Sequence, residues 1–157
     1  MRVGIVGDIH GNYEGLKQAA ERMAQPDLIL FTGDGFRDIC RLKEECPIPV
    51  EGVGGNCDIY TDYPTEVVLN LKGCKILLTH GHKYVVKNGL LNISMAGRSH
   101  GVNLVVFGHT HLPLSTDWHE IKLFNPGSIS LDRSYRGPTF GMLTIHEKGF
   151  DLKIERL

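Results

Sequence analysis

Leu104-Val105-Val106-Phe107-Gly108-His109-Thr110-His111 is a run of four apolar residues that passes through a glycine into two imidazoles. The apolar run is too short for a helix and rich in β-branched side chains, so it reads as a strand covered on both faces. Gly108 frees the backbone, and Pro113 stops any helix from forming just beyond. His109 and His111, two positions apart at a strand end, can reach different sides of one small object. A metal ion or metal pair is such an object, although two histidines beside a glycine also occur as ordinary surface-loop residues.

The rest of the chain repeats this arrangement. A strand over about Arg2 to Val6 runs into Gly7-Asp8-Ile9-His10-Gly11-Asn12, where Asp8 and His10 alternate with Ile9 and share one side of an extended chain. Asn12 can cap a helix carried by Leu16, Ala19, Ala20 and Met23, which Pro26 ends. A second strand, Leu28 to Phe31, runs into Gly33-Asp34-Gly35, and a short helix over about Arg37 to Glu45 follows. A third strand, Val50 to Val53, leads to Gly54-Gly55-Asn56-Cys57-Asp58, which offers an amide oxygen.

Glu66 to Leu71 and Lys75 to Thr79 read as strands around a Lys72-Gly73 turn, the second ending in His80-Gly81-His82. The spacing of Leu90, Leu91, Ile93, Met95 and Ala96 predicts a helix over Asn88 to His100, with Gly101 ending it in a left-handed turn and His100 as a favourable cation near that terminus. Short strands are expected over Ser115 to His119 and Ile121 to Phe124. Thr139 to His146 and Phe150 to Glu155 form a hairpin across Lys148-Gly149.

In open α/β sheets the functional crevice lies beyond the carboxyl ends of the strands, and Asp8, His10, Asp34, Asn56, His80, His109 and His111 all fall at such ends. Each has an ordinary reading alone, as turn former, loop acid or surface imidazole. Taken together, those readings require seven coincidences on one rim.

With 157 residues the chain reads as one domain, 1–157, long enough to bury about two-thirds of its unfolded surface. A formal net charge of −1 gives no long-range field for a polyanion, which excludes general nucleic-acid or membrane-surface binding and leaves room for a small phosphorylated molecule. Cys40, Cys46, Cys57 and Cys74 form no Cys-x-x-Cys pair and read as free thiols of a reducing cytosol. The apolar run before Asp8 is too short for a signal peptide, so a cytoplasmic location is expected. Homo-oligomerisation is left open.

Carboxylate, imidazole and amide oxygen without thiolate suit a catalytic divalent ion rather than a closed structural zinc site. Seven ligands are too many for one catalytic ion. With one carboxylate bridging, they divide into two half-shells of the kind that hold two ions roughly 3.5 to 4 Å apart and activate water between them.

Asp8-Ile9-His10, Gly33-Asp34, Gly55-Asn56-Cys57-Asp58, Thr79-His80-Gly81-His82 and Gly108-His109-Thr110-His111 resemble, in order, the five motifs of the calcineurin-like metallophosphoesterase superfamily. The nearest likeness is to its small single-domain prokaryotic phosphodiesterases, which also carry an Asn125-Pro126-Gly127-Ser128 segment and a closing hairpin. The resemblance implies a four-layer α/β/β/α sandwich of two mixed sheets flanked by helices. It also implies that Asp8, His10 and His111 hold one ion, that Asn56, His80 and His109 hold the other, and that Asp34 bridges them. The implied cofactors are two divalent metal ions, manganese foremost, with nickel, iron, zinc, cobalt or magnesium as alternatives. The implied reaction is in-line attack on phosphorus by a hydroxide bridging the ions, with His10 or His82 assisting proton transfer. On this reading His10, Asn56 and His82 act in catalysis, and Asn12, Asn56 and His82 contact substrate, although His82 also reads as an exposed loop histidine.

Many relatives have histidine directly after the motif asparagine, where this chain has Cys57. A thiol with an ordinary pKa near 8.5 is a poor proton donor to oxygen, so phosphodiesters and activated esters are favoured over alkyl monoesters, and Cys57 reads as structural. The Asn-Cys-Asp variant also occurs in the small phosphodiesterases that the chain resembles. Asp58 reads as orienting a neighbour. Arg133 and Arg136 read either as contacts to a second phosphate or a nucleotide or as solvated surface, on a rim expected to be formed by 58–64, 83–88 and 131–137.

Two other classes compete with an enzyme. A catalytically weak or inactive protein-binding scaffold on the same fold is one, since relatives in a membrane-trafficking coat use the sandwich for partner contacts. A nucleotide-binding α/β domain, prompted by Gly4, Gly7 and Gly11, is the other; it lacks G-x-G-x-x-G or P-loop spacing, and Asp8 would repel pyrophosphate.

Overall fold

The structure is a computed structural model that describes residues 1–130 and 137–157. Alternating apolar side chains build its centre. In β1 (Arg2–Val6) and β2 (Leu28–Phe31), Val3, Ile5, Leu28 and Leu30 face one core, while Val6, Ile29 and Phe31 face another. The same period of two recurs in β5 (Cys74–Thr79) and β6 (Leu104–Val106). There Ile76, Leu78, Leu104 and Val106 join the first core, and Leu77 and Val105 a third. Strands apolar on both faces must be covered on both faces, as the sequence pattern of Leu104 to Phe107 predicts.

The covering is four layers deep. β1, β2 and β3 (Val50–Gly52) run parallel in one sheet. The antiparallel hairpin of β9 (Thr139–His146) and β10 (Gly149–Arg156) extends it in the order β10-β9-β1-β2-β3. The second sheet has β5, β6 and β8 (Ile121–Asn125) parallel, with β4 (Glu66–Leu71) and β7 (Leu114–Trp118) as antiparallel edges, in the order β4-β5-β6-β8-β7. The inner core lies between the sheets. α1 (Tyr13–Arg22) and α2 (Phe36–Glu45) cover the first sheet through Leu16, Ala19, Met23, Ile39 and Leu42, and α3 (Leu91–His100) covers the second through Ile93. Each fully buried Leu, Ile or Phe contributes about 1.5–3 kcal/mol relative to exposure, which makes this layering the main source of stability. No helix among the described residues is long and apolar enough to cross a membrane.

Local signals act as the sequence suggests at α1, where the Asn12 side-chain oxygen accepts the Gly15 N–H at 3.1 Å, and at Gly101, which takes φ 58° after α3. The start of α3 differs. The expected helix from Asn88 begins only at Leu91, because 82–88 forms two 3₁₀ turns joined at Val85 (φ 55°), and Gly89 at φ 142° breaks the path into the helix. Leu91 and Met95, counted among the apolar positions of that helix, are exposed. Arg133 and Arg136 lie outside the described residues.

Candidate metal centre

The carboxyl ends of β1, β2 and β3 lead to Asp8, His10, Asp34 and Asn56, and those of β5 and β6 lead to His80, His109 and His111. The first four side chains therefore come from one sheet and the last three from the other. They meet at the shared edge of the sandwich. His111 Nε2 stands 3.1 Å from Asp8 Oδ1 and 3.3 Å from His10 Nε2, and His10 Nε2 is 3.8 Å from both Asp8 Oδ1 and Asp34 Oδ2. On the other side, His80 Nε2 is 3.4 Å from Asp34 Oδ2, 3.1 Å from Asn56 Oδ1 and 3.2 Å from His109 Nδ1.

Protons account for at most part of this convergence, since one proton on His80 Nε2 could serve only one of its three close neighbours. His80 Nδ1 lies 2.8 Å from the Thr32 carbonyl, which can only accept, so Nδ1 carries the proton. In the neutral ring, Nε2 then presents a lone pair to an amide oxygen, a carboxylate oxygen and another ring nitrogen. Asp8 is fully buried, and its Oδ1 has no hydrogen-bond partner despite the nearby His111 nitrogen. Buried acceptors that face one another are costly unless a cation lies among them. Ligand atoms of Asp8, His10 and His111 all lie within 4.8 Å of one another, as do those of Asp8, Asp34 and His80. Hard oxygen and imidazole donors in such groups fit a divalent ion.

The backbone carrying these donors is constrained. Asp8, His10, Asp34, His109 and His111 have φ of 48°, 46°, 59°, 67° and 60°, a left-handed region that costs a side chain about 1 kcal/mol or more. Cross-links between loops hold them there. The Asp34 carbonyl accepts the N–H groups of Ile9 (2.7 Å) and His10 (3.1 Å), and Asp8 Oδ2 accepts the His109 N–H at 2.9 Å. Gly108 is needed for that approach, since a Cβ there would come within 2.8 Å of Asp8 Oδ2 and 2.7 Å of Thr32 Oγ1.

Electrostatics follow the geometry. Burial pushes the Asp34 carboxyl up, but the His80 ring and the Cys57 N–H more than offset it and hold the group well below the usual carboxylate range. Burial pushes His80 down, and Asp34 together with Asp8 raises it overall. Burial, then the neighbouring His80, brings His109 down to about 4. The same two causes, in the same order, lower His82.

The remaining sequence candidates divide. The His82 ring centroid is 5.3 Å from that of His80 and 6.1 Å from that of His109, and its Nδ1 is buried without a hydrogen-bond partner, so it borders the cluster. Asn12, offered by the sequence as a substrate contact, has both ends of its amide engaged elsewhere, the oxygen on Gly15 and the nitrogen on the Ile129 carbonyl at 2.9 Å. Its capping role is the one realised. Cys57 does not sit in the core. It is exposed, its sulfur lies within 4.8 Å of ligand atoms of His10 and Asp34, and burial followed by the charge of Asp34 pushes its thiol pKa up.

Three further residues support the ligand loops, Asp58 among them in the orienting role that the sequence suggests. The Asp58 carboxylate accepts the N–H groups of Asp34 (2.7 Å), Gly35 (2.9 Å), Phe36 (2.9 Å) and Gly55 (2.9 Å), tying two ligand loops together and capping α2. Ser128 Oγ donates to the Asp8 carbonyl at 2.8 Å, and Asn125 Nδ2 donates to the Gly108 carbonyl at 2.9 Å. The Asn125-Pro126-Gly127-Ser128 segment thus braces the ligand loops from behind.

Comparison with known proteins agrees with this geometry. A model of the calcineurin-like phosphoesterase superfamily domain matches residues 1–148. The probable metallophosphoesterase YsnB of Bacillus subtilis is 36% identical over 146 residues, covering 92% of this chain and 85% of that protein. The phosphodiesterase YfcE of Escherichia coli K12 is 29% identical over 168 residues, covering 91% of this chain and 87% of that protein. Among solved structures, zinc-complexed Vps29 of Entamoeba histolytica superimposes with a TM-score of 0.78 at 21% identity, covering 100% of this chain and 98% of that one, a likeness of fold.

Proposed function

The chain belongs to the calcineurin-like phosphoesterase superfamily, and from that premise we propose that it is a binuclear metal-dependent phosphodiesterase acting on a small phosphorylated substrate. Asp8, His10 and His111 hold one divalent ion, Asn56, His80 and His109 hold the other, and Asp34 lies between them. Manganese is the foremost candidate for both. When bound, the ions supply an activated water and neutralise charge on the phosphoryl oxygens. The chain's own part is to fix the donors before substrate arrives. Thr32 holds the His80 tautomer, Asp58 holds the Asp34 loop, and His10 or His82 would assist proton transfer.

The observation that carries this reading is the meeting of Asn56 Oδ1, His109 Nδ1 and Asp34 Oδ2 on a single nitrogen, His80 Nε2, whose proton lies on the far side of the ring. Preference for diesters is supported by Cys57, whose thiol is a weak acid for a leaving alkoxide, and by the likeness to YfcE. The test is hydrolysis of bis(4-nitrophenyl) phosphate by chelator-stripped protein before and after manganese is restored, with metal analysis alongside. Activity that returns with two ions per chain is expected; full turnover in excess chelator overturns the proposal.

A scaffold without turnover is the second reading, favoured by the likeness of fold to Vps29. No hydrolysis across a panel of phosphoesters by fully loaded protein, together with a tight protein partner in pull-downs, would select it.

A further inference from the structure

Resting on the phosphodiesterase reading, we propose that the cleft beside His10 and Asp34 receives a planar aromatic ring carried on an ester oxygen of the substrate, with Tyr60, Ile59 and Phe36 as its contact surfaces and Arg37 at its edge. The cleft has a volume of about 540 Å³, and its lining includes His10, Asp34 and Cys57 together with Ile59 and Tyr60. That volume is within the range of small-molecule sites, about 300–1,000 Å³, and exceeds what a phosphoryl group needs. Because His10 and Asp34 belong both to this lining and to the candidate metal centre, a phosphoryl group held at that centre would leave an ester substituent room in the rest of the cleft.

The side chains indicate the chemistry of that substituent. Ile59 and Tyr60 are 80% and 87% exposed, two large apolar side chains in succession on the wall of a site. Single exposed apolar residues are ordinary, but an adjacent pair beside a reactive centre marks a contact surface. These two are not on a loose segment. Asp58, immediately before them, is fixed by its four backbone hydrogen bonds, and the Ile59 N–H donates to the Cys57 carbonyl at 3.2 Å. Phe36 also lines the cleft, its ring held edge-on against Tyr63 at 5.5 Å and 84°.

Charge narrows the choice further. Arg37 is exposed and has no ion-pair partner among the described residues, so its planar guanidinium is available to stack on a ring. Asp38, also in the lining, accepts the Gly11 N–H at 3.0 Å. Arg37 is the one arginine or lysine in a lining that also holds Asp34, Asp38 and Asp58, and this excess of carboxylates suits an uncharged ring better than a chain of further phosphates. An aryl group and a nucleobase share this chemistry.

The test uses calorimetric binding of non-hydrolysable probes to the manganese-loaded protein. Phenylphosphonate and methylphosphonate carry the same anionic group and differ only in the substituent offered to the cleft. Aromatic stacking is worth about 1–3 kcal/mol, so phenylphosphonate is expected to bind roughly fivefold or more tightly than methylphosphonate. Replacing Tyr60→Ala and Ile59→Ser together should bring that ratio to within about twofold, and both positions are too exposed for the substitutions to threaten folding. The methylene phosphonate analogue of adenosine 5′-monophosphate identifies the ring. Tighter binding than phenylphosphonate assigns a nucleobase, and weaker binding, still above methylphosphonate, assigns a smaller aryl group. Equal binding of the phenyl and methyl probes, or a preference that survives the double substitution, overturns the cleft assignment and leaves the phosphodiesterase reading standing. Failure of every probe to bind the loaded protein overturns both.

Discussion

Asp58 Oδ2 accepts the backbone N–H of Asp34 at 2.7 Å, so the carboxylate of one residue fixes the chain from which another carboxylate faces the metal cluster. The same side chain also holds Gly35, Phe36 and Gly55. Asp58→Ala leaves these N–H groups without their acceptor and should lower stability by about 3 kcal/mol, read by urea unfolding. Asp58→Asn keeps one acceptor oxygen and should lose less. An unchanged unfolding midpoint in the alanine variant would remove Asp58 from the support of the site.

Asp34 Oδ2 lies 3.8 Å from His10 Nε2 and 3.4 Å from His80 Nε2, within reach of both proposed groups of donors. Asp34→Asn should reduce turnover of bis(4-nitrophenyl) phosphate by at least about 100-fold, with the far-ultraviolet circular dichroism of the chain intact. Metal analysis should show fewer than two ions retained. A variant that keeps both ions and its rate would rule out Asp34 as their bridge.

Cys57 stands where many superfamily members carry an imidazole. Cys57→His restores a stronger acid for the leaving oxygen, and the ratio of alkyl monoester to diester hydrolysis should rise by about tenfold or more. If the ratio stays where it was, the missing acid is no ground for the proposed diester preference.

Gly108 allows the His109 loop to lie against Asp8. Gly108→Ala puts a methyl group within 2.8 Å of Asp8 Oδ2 and 2.7 Å of Thr32 Oγ1, and overpacking of that kind costs about 1–3 kcal/mol. The displaced carboxylate should weaken metal retention, measurable by competition with a chromogenic chelator. Wild-type retention would show that the loop can yield without moving Asp8.

Tyr84 donates to Glu66 Oε2 at 2.6 Å and ties the 82–88 turns to β4. Burial, then the Glu66 carboxylate, pushes its hydroxyl up to about 12. Between pH 10 and about 12 the unfolded chain loses this proton and the folded chain keeps it. The resulting stabilisation is complete below pH 10 and disappears as pH rises through that window. Burial, then Glu45, pushes the Tyr13 hydroxyl up to about 12 as well, so ultraviolet titration should show two tyrosines ionising late, and Tyr84→Phe should remove one of the two. A titration in which every tyrosine ionises near 10 would contradict the assignment.

The sandwich was legible in the sequence wherever burial imposed a pattern. Leu104 to Phe107 announces a strand covered on both faces because both faces are in fact covered, and the histidines after Gly108 fall where strand ends must leave the core. The start of α3 was not legible. Val85 takes a left-handed φ that a β-branched side chain disfavours, so nothing in its identity foretells the pair of 3₁₀ turns. Leu91 and Met95 fit a helical period yet face solvent, since periodicity locates an apolar stripe but cannot tell which stripe is covered. Asp58 was legible as a residue that orients a neighbour, but the groups it holds were hidden for another reason. Three of its four partners lie 22 to 24 residues away, and they become neighbours only when two loops fold against each other.

Because four of the converging donors come from one sheet and three from the other, bound ions would act as a rivet through two plates. Any slippage of the plates opens the rivet hole before it exposes the hydrophobic filling between them. Heating should therefore extinguish turnover at a temperature where the strands are still intact, and the gap between those two temperatures measures how tightly the rivet is set.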